Sequence, residues 1–296
     1  MTVIPIGRIN DDPGDFHSLC QIWQKAMGAE DDIAFEFTWC DFLRPNALVF
    51  LGGLARLLQQ RGRMVDFRWH TLQNSWVQMN LTQNGFRHQF GHHEGPWKGN
   101  SIPFREDAAQ NERAFENYLS EYWLGRGWLN ISPELKNRIV APMAELYLNA
   151  FEHAASPVGV MACGQYFKNR NELTLAIADF GVGIPSNVRL YQGRDALMDT
   201  TSGAACMQWA LKEGTSTKGQ QGISRGAGLR TLLDFVCAAK GSLQIYSHDG
   251  GFRLVDNQES YATLGPQFEG TLVNIRLRCD PAYYDVAAGN VSVVAF

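Results

Sequence analysis

An α/β fold is predicted for this chain, with sheet layers covered by helices. Three observations predict it. Strand and helix patterns alternate through the first ninety residues, the order expected of a sheet with helices on it. A long helical pattern after Ser132 is followed by a wholly apolar run, Leu173 to Ala178, that reads as a buried strand. The chain of 296 residues is 45% hydrophobic, enough for a packed core in one or two domains.

The elements follow in order. Ile33, Phe35 and Phe37 alternate with other residues, as a strand's period of two requires. Pro45 opens a helix with apolar positions from Ala47 to Leu58, closing near Gly62. Val65, Phe67 and Trp69 mark the next strand, and Asn74 caps a short helix that ends at Gly85. These residues, 1–90, are expected to form a separate small α/β domain. Residues 91–130 are expected to be a linker with a connecting helix, because Phe86 to Gly99 is rich in loop formers and Glu106 to Leu124 has helical period. His88, His92, His93 and Glu94 cluster in that loop without the spacing of a known metal motif. The last domain, 131–296, ends in the apolar VSVVAF, which suits an added strand or a docked tail.

Three short stretches carry the chemistry. The first, ELYLNAFEHA, puts Glu145 and Asn149 four apart, hence on one helical face. An oxygen pair of this kind suits Mg²⁺, and the carboxylate could instead polarise an attacking water. Pro142, inside the same helix, removes one hydrogen bond. The second stretch, DFGVGIP, sets Asp179 at a strand end beside Gly181 and Gly183, where a carboxylate can accept a hydrogen bond from an exocyclic amine. The third, GISRGAGL, sets Gly226 and Gly228 before a helix running from Leu229 to Gly241. Amides at such a helix start face anions, and Arg225 and Lys218 add charge. No Gly-Lys dipeptide and no G-x-G-x-x-G occurs, so neither common phosphate loop is present.

A net charge of −4 gives no basic surface for nucleic acid. Six scattered cysteines, without a C-x-x-C pair, fit small reduced core residues in a cytoplasmic protein. The N-terminus lacks a signal pattern, and no apolar run reaches the ~20 residues of a membrane span.

The three stretches, in this order and with a Gly270-Thr271 pair beyond them, resemble the GHKL superfamily of ATP-binding domains, found in histidine kinases, gyrase, heat-shock chaperones and anti-sigma-factor kinases. The resemblance covers about residues 130 to 280. It implies an α/β sandwich whose mixed sheet is covered by helices, and it implies ATP and Mg²⁺ as cofactors. On it, Asn149 would hold Mg²⁺ and Glu145 would be the general base. Asp179 would take the adenine amine, with Gly181 and Gly183 as the adjoining wall and Thr271 supporting that end. Arg225, Gly226, Gly228 and Leu229 would meet the phosphates, under a lid running from about Tyr191 to Arg225.

The strand-turn-helix pattern from Ile33 to Phe67 is similar to a STAS domain, the fold of anti-sigma-factor antagonists. In that family a serine before the helix accepts phosphate from a GHKL partner. Here the turn carries Asn46, which has no hydroxyl, so the domain is expected to dock rather than accept phosphate.

Two functions remain open at this stage. One is an ATPase or protein kinase of the anti-sigma type, working in signalling. The other is a switch that binds ATP without turnover and so changes its affinity for a partner. A protein partner, STAS-type or sigma-factor-like, is expected in both, and self-association fits either. A self-phosphorylating histidine kinase is disfavoured, because no two-helix segment with an acceptor histidine precedes the first stretch.

Overall fold

The computed structural model describes residues 1–192, 201–212, 227–287 and 290–294. The chain begins with β1 (Thr2–Pro5), α1 (Pro13–Gly28), β2 (Ile33–Glu36), α2 (Pro45–Gln60) and β3 (Val65–Arg68). Both pairings of these strands are parallel, in the order β1-β2-β3. Pro45 occupies the first turn of α2, as its locked φ favours, and Gly62 turns the chain out at φ 78°. Next come α3 (Ser75–Gln83), whose first amides at Trp76 and Val77 donate to the Asn74 side chain, and the single turn α4 (Phe86–Gln89).

The centre of the molecule is a five-stranded sheet. It uses β4 (Ser101–Asp107), β6 (Val160–Phe167), β7 (Glu172–Asp179), β8 (Ser242–Val255) and β9 (Gln258–Arg278), in the order β4-β6-β7-β9-β8. Between β4 and β6 lie α5 (Glu112–Tyr118), β5 (Asn130–Ile131) and α6 (Pro133–Glu152). After β7 come α7 (Ile184–Gln192), α8 (Gly203–Ala210) and α9 (Ala227–Ala238). The chain closes with β10 (Tyr283–Ala287) and β11 (Asn290–Val294), which pair antiparallel, so the apolar ending does add a strand.

The mixed α/β class holds, with one correction to the sheet. All four pairings of the five-stranded sheet are antiparallel, where a mixed sheet was expected. Parallel pairing occurs instead in the N-terminal sheet and between β5 and β10. A second correction concerns residues 101–107, placed by sequence in a linker and the start of a helix. Ile102 and Phe104 are buried on alternate positions of strand β4, and the helix starts only at Glu112, where the Ala114 amide donates to the Asn111 side chain. Pro103 is tolerated there because β4 is an edge strand.

Alternation along the strands decides which layer covers which face. On β7, Leu173, Leu175 and Ile177 join a core with Leu135, Ile139 and Met143 of α6 and Leu232, Phe235 and Val236 of α9. Ala176 and Ala178 point the other way, into a core with Phe16 and Trp23 of α1 and Phe50 and Leu54 of α2. With both faces covered, β7 reads as a continuous apolar run rather than an alternating one. The first ninety residues therefore share a core with the central sheet: α1 and α2 lie between the two sheets. In α2 only Arg56, Gln59 and Gln60 escape burial. Gly53 lets this helix lie close, because a Cβ there would run into the ring of Phe180.

A buried charge cluster ties the start of α2 to the sheet. Arg44, 2% exposed, reaches Glu172 of β7 at 2.9 Å and Asp11 at 3.4 Å, and Arg276 of β9 approaches Asp11 at 3.7 Å. Asn46, in the turn before α2, is buried and donates its side-chain amide to the Asn10 carbonyl at 2.7 Å. That turn is closed to solvent.

Candidate functional site

Helix α6 begins as its sequence dictates: Pro133 takes the first position, and the Leu135 amide donates to the Ser132 hydroxyl at 3.2 Å. It continues through Pro142 to Glu152. Glu145 is half-buried and Asn149 exposed, one turn further on the same face. The end of α6 is then bound to the loop that follows β7. The Val182 amide donates to the Ala154 carbonyl at 2.9 Å, and the Asn187 side-chain amide to the His153 carbonyl at 3.0 Å. The Phe180 amide donates to the Ser156 hydroxyl at 3.2 Å. These bonds hold Asn149 and Asp179 in one frame, although thirty positions separate them in the chain.

Asp179 closes β7 and stands opposite Thr271 of β9. Its carboxyl is 7% exposed and accepts the Gly181 amide at 2.9 Å. The polar groups of Thr271 beside it also favour its ionised form. Burial pushes the carboxyl pKa up to about 6, since loss of water outweighs the Gly181 hydrogen bond and the nearby polar groups of Thr271. Two glycines make the approach possible. Gly270, at φ 134°, brings β9 against the Asp179 carbonyl where a side chain would clash. Gly183, at φ 77°, turns the loop toward Ser247 and into α7.

Around these groups lies a cavity of about 190 Å³. Val160, Ile177 and Val273 form its apolar floor on the sheet, while Glu145, Asn149, Asp179, Gly183 and Thr271 all line it. On the far side stand Trp209, at the end of α8, and Lys212 just beyond; the Trp209 ring lies 5.6 Å from that of Tyr191. The lining thus combines apolar side chains of the sheet with a buried carboxyl, a half-buried carboxylate and an exposed carboxamide.

Five of the ten site residues anticipated from sequence thus meet in one cavity. Gly181 instead packs against the carbonyl of Ala154, bracing the loop. Gly228 and Leu229 lie in the first turn of α9, which packs on α6. Arg225, Gly226 and Lys218 lie outside the described residues, as does most of the expected lid; of that segment α8 is described. Sequence reasoning missed Trp209, Lys212 and Ser247. Ser247 had one visible signal, a hydroxyl that closes the buried run Leu243–Tyr246 of β8 and is buried with it.

Among the described residues no three His, Cys, Asp or Glu side chains gather as a metal site, and the His88–Glu94 loop is no exception. Nor is any described helix long and apolar enough to cross a membrane. The chain matches no protein-family model, and no curated protein matches it.

Proposed function

We propose that this chain is an ATP- and Mg²⁺-binding regulatory protein of the GHKL type, acting as an ATPase or kinase toward a protein partner. One observation carries the reading: Glu145, Asn149, Asp179, Gly183 and Thr271, drawn from three separate segments, line a single cavity. Chance proximity of these residue types in the roles that the resemblance implies is a poor alternative.

The residues fit the group. The inner slot has an apolar floor for a purine ring and a carboxyl to accept its amine. At about 190 Å³ the cavity is smaller than the ~300–1,000 Å³ of sites that enclose drug-sized ligands. It therefore takes the base end of a nucleotide, with the phosphates toward Asn149 and Lys212. Asn149 would hold Mg²⁺ through its carboxamide oxygen, a hard ligand that leaves other positions for water and phosphate. When bound, the metal offsets charge that develops on the transferring phosphoryl group. Glu145, half-buried one turn away, would orient and deprotonate a water or a protein hydroxyl. Six cysteines, all unpaired, fit a reducing compartment such as the cytoplasm. The partner suited to this class is a STAS-type or sigma-factor-like regulator.

Calorimetric titration with Mg-ATP, beside a phosphate-release assay, tests the reading. Asn149→Ala loses Mg-dependent affinity, whereas Glu145→Ala binds and does not turn over. Binding without release in the wild type would leave a nucleotide-gated switch. Equal affinity in wild type and Asn149→Ala would sink the assignment.

A further inference from the structure

We propose, resting on the nucleotide reading above, that Phe180 is a positioning residue through which the N-terminal helices α1 and α2 set the shape of the cavity. The cavity then answers to a layer that lies on the opposite face of the central sheet.

The ends of β7 and β9 serve both faces, because successive side chains of a strand alternate. Ile177, Asp179, Thr271 and Val273 line the cavity. Ala178, Phe180 and Leu272 alternate with them and belong to the core shared with α1 and α2. Phe180 is buried, and its ring stacks on Trp23 of α1 with 5.6 Å between centroids. It also meets Phe50 of α2 at 5.6 Å and Phe268 of β9 at 6.1 Å. A Cβ on Gly53 of α2 would overlap this ring, so the helix is seated on Phe180 with no space between them.

The main chain carries this placement to the other face. Phe180 follows Asp179 directly, and the Asp179 carboxyl accepts the Gly181 amide at 2.9 Å. The Phe180 amide donates to the Ser156 hydroxyl at 3.2 Å, and the Val182 amide to the Ala154 carbonyl at 2.9 Å. A displaced ring therefore pulls on a short, bonded loop that leads into Gly183 and Ile184 of the cavity wall. Close-packed interiors transmit such strain. By reciprocity, a ligand that fixes the loop also firms the seat of α2.

Two adjacent glycines supply matched probes. A methyl added at Gly52 meets Phe104 of β4, whereas one added at Gly53 meets Phe180. ADP is titrated calorimetrically into the full chain carrying either substitution, and urea denaturation compares their stabilities. Gly53→Ala is expected to weaken ADP binding by about tenfold, within the range that one overpacked methyl costs. Gly52→Ala should bind as wild type does, even where it is no more stable than Gly53→Ala. Adding Phe180→Leu to Gly53→Ala removes the far ring atoms that the methyl meets and should restore most of the affinity. Unchanged affinity in Gly53→Ala, equal weakening by both glycine variants, or a loss that Phe180→Leu leaves in place each overturns the proposal. Should Gly53→Ala not fold, Trp23→Leu withdraws the ring stacked on Phe180 and must weaken ADP in the same titration; wild-type affinity there overturns the proposal too. Wild type that binds no ADP sinks the nucleotide reading and this inference together. Wild type that binds ADP, with affinity intact in Gly53→Ala, sinks this inference alone.

Discussion

Asp179 on β7 and Thr271 on β9 are register partners, and burial has moved the Asp179 carboxyl to a pKa of about 6 although Gly181 and Thr271 favour its ionised form. At neutral pH this carboxylate is held ionised in a place that would rather have it neutral. The site stores a cost in the empty protein, and a donor from a ligand relieves it.

Replacing Asp179 by Asn therefore separates stability from recognition. The amide keeps the shape without the buried charge, so Asp179→Asn is expected to stabilise the ligand-free protein at pH 7 by up to roughly 3 kcal/mol, the free energy equivalent of the shift. Nucleotide preference should be lost in the same variant. Urea denaturation and ADP titration measure the two effects; a destabilised variant would mean that the hydrogen bonds fully compensate the charge.

The pH dependence has a definite sign. A raised folded pKa means that the native state holds this proton more tightly than the unfolded chain. Its contribution to stability is complete below the ordinary value of 3.8 and is lost as pH rises through about 6. Wild-type stability minus that of Asp179→Asn should fall between those limits and be flat above them. Taking the difference between variants cancels the other carboxylates, and denaturation midpoints across pH 4 to 8 give the curve.

Gly181→Ala is expected to destabilise by about 1–3 kcal/mol, because its methyl would run into the Ala154 carbonyl and force the backbone apart. The damage lies between the end of α6 and the loop after β7, so ligand affinity should fall with stability. Thermal melts with and without ADP distinguish this from the loss of a base contact, which would leave the melting temperature of the free protein unchanged.

Arg44→Ala removes the cation between Asp11 and Glu172 and leaves buried Asp11 with only the more distant Arg276. A loss of about 3–5 kcal/mol follows from uncovering a buried charge in this way. Arg44→Met, together with neutral Asn at position 11, should recover much of it. Denaturation of Arg44→Met, Asp11→Asn and the double variant measures the coupling, and additive losses would show that the cluster does not act as a unit.

Much of the local structure is legible in the chain. Ser132-Pro133 starts α6, Pro45 starts α2 and Asn74 caps α3, since each residue acts on its own backbone neighbours. The spacing of Glu145 and Asn149 is enough to put them on one helical face. Strand β4 was less legible: its short alternation around Pro103 is masked by charged residues that also suit a helix. The N-terminal helix α1 carried a clear start, Asp12 before Pro13, that was not read. In α2 an apolar surface nearly all round was the sign that it lies between two layers, and only the neighbours could show which.

By itself the sequence determined the helix starts, the strand at 173–178 and the residue types of the candidate site, because propensity, capping and periodicity operate over a few positions. Tertiary structure alone decided that Asp179 stands opposite Thr271 and Thr271 beside Ser247, that the α6 end is laced to the loop after β7, and that the first ninety residues cover a face of the central sheet. Those outcomes depend on strand register and on burial of one surface by another. Both are properties of the whole chain's packing, and no short window of residues contains them.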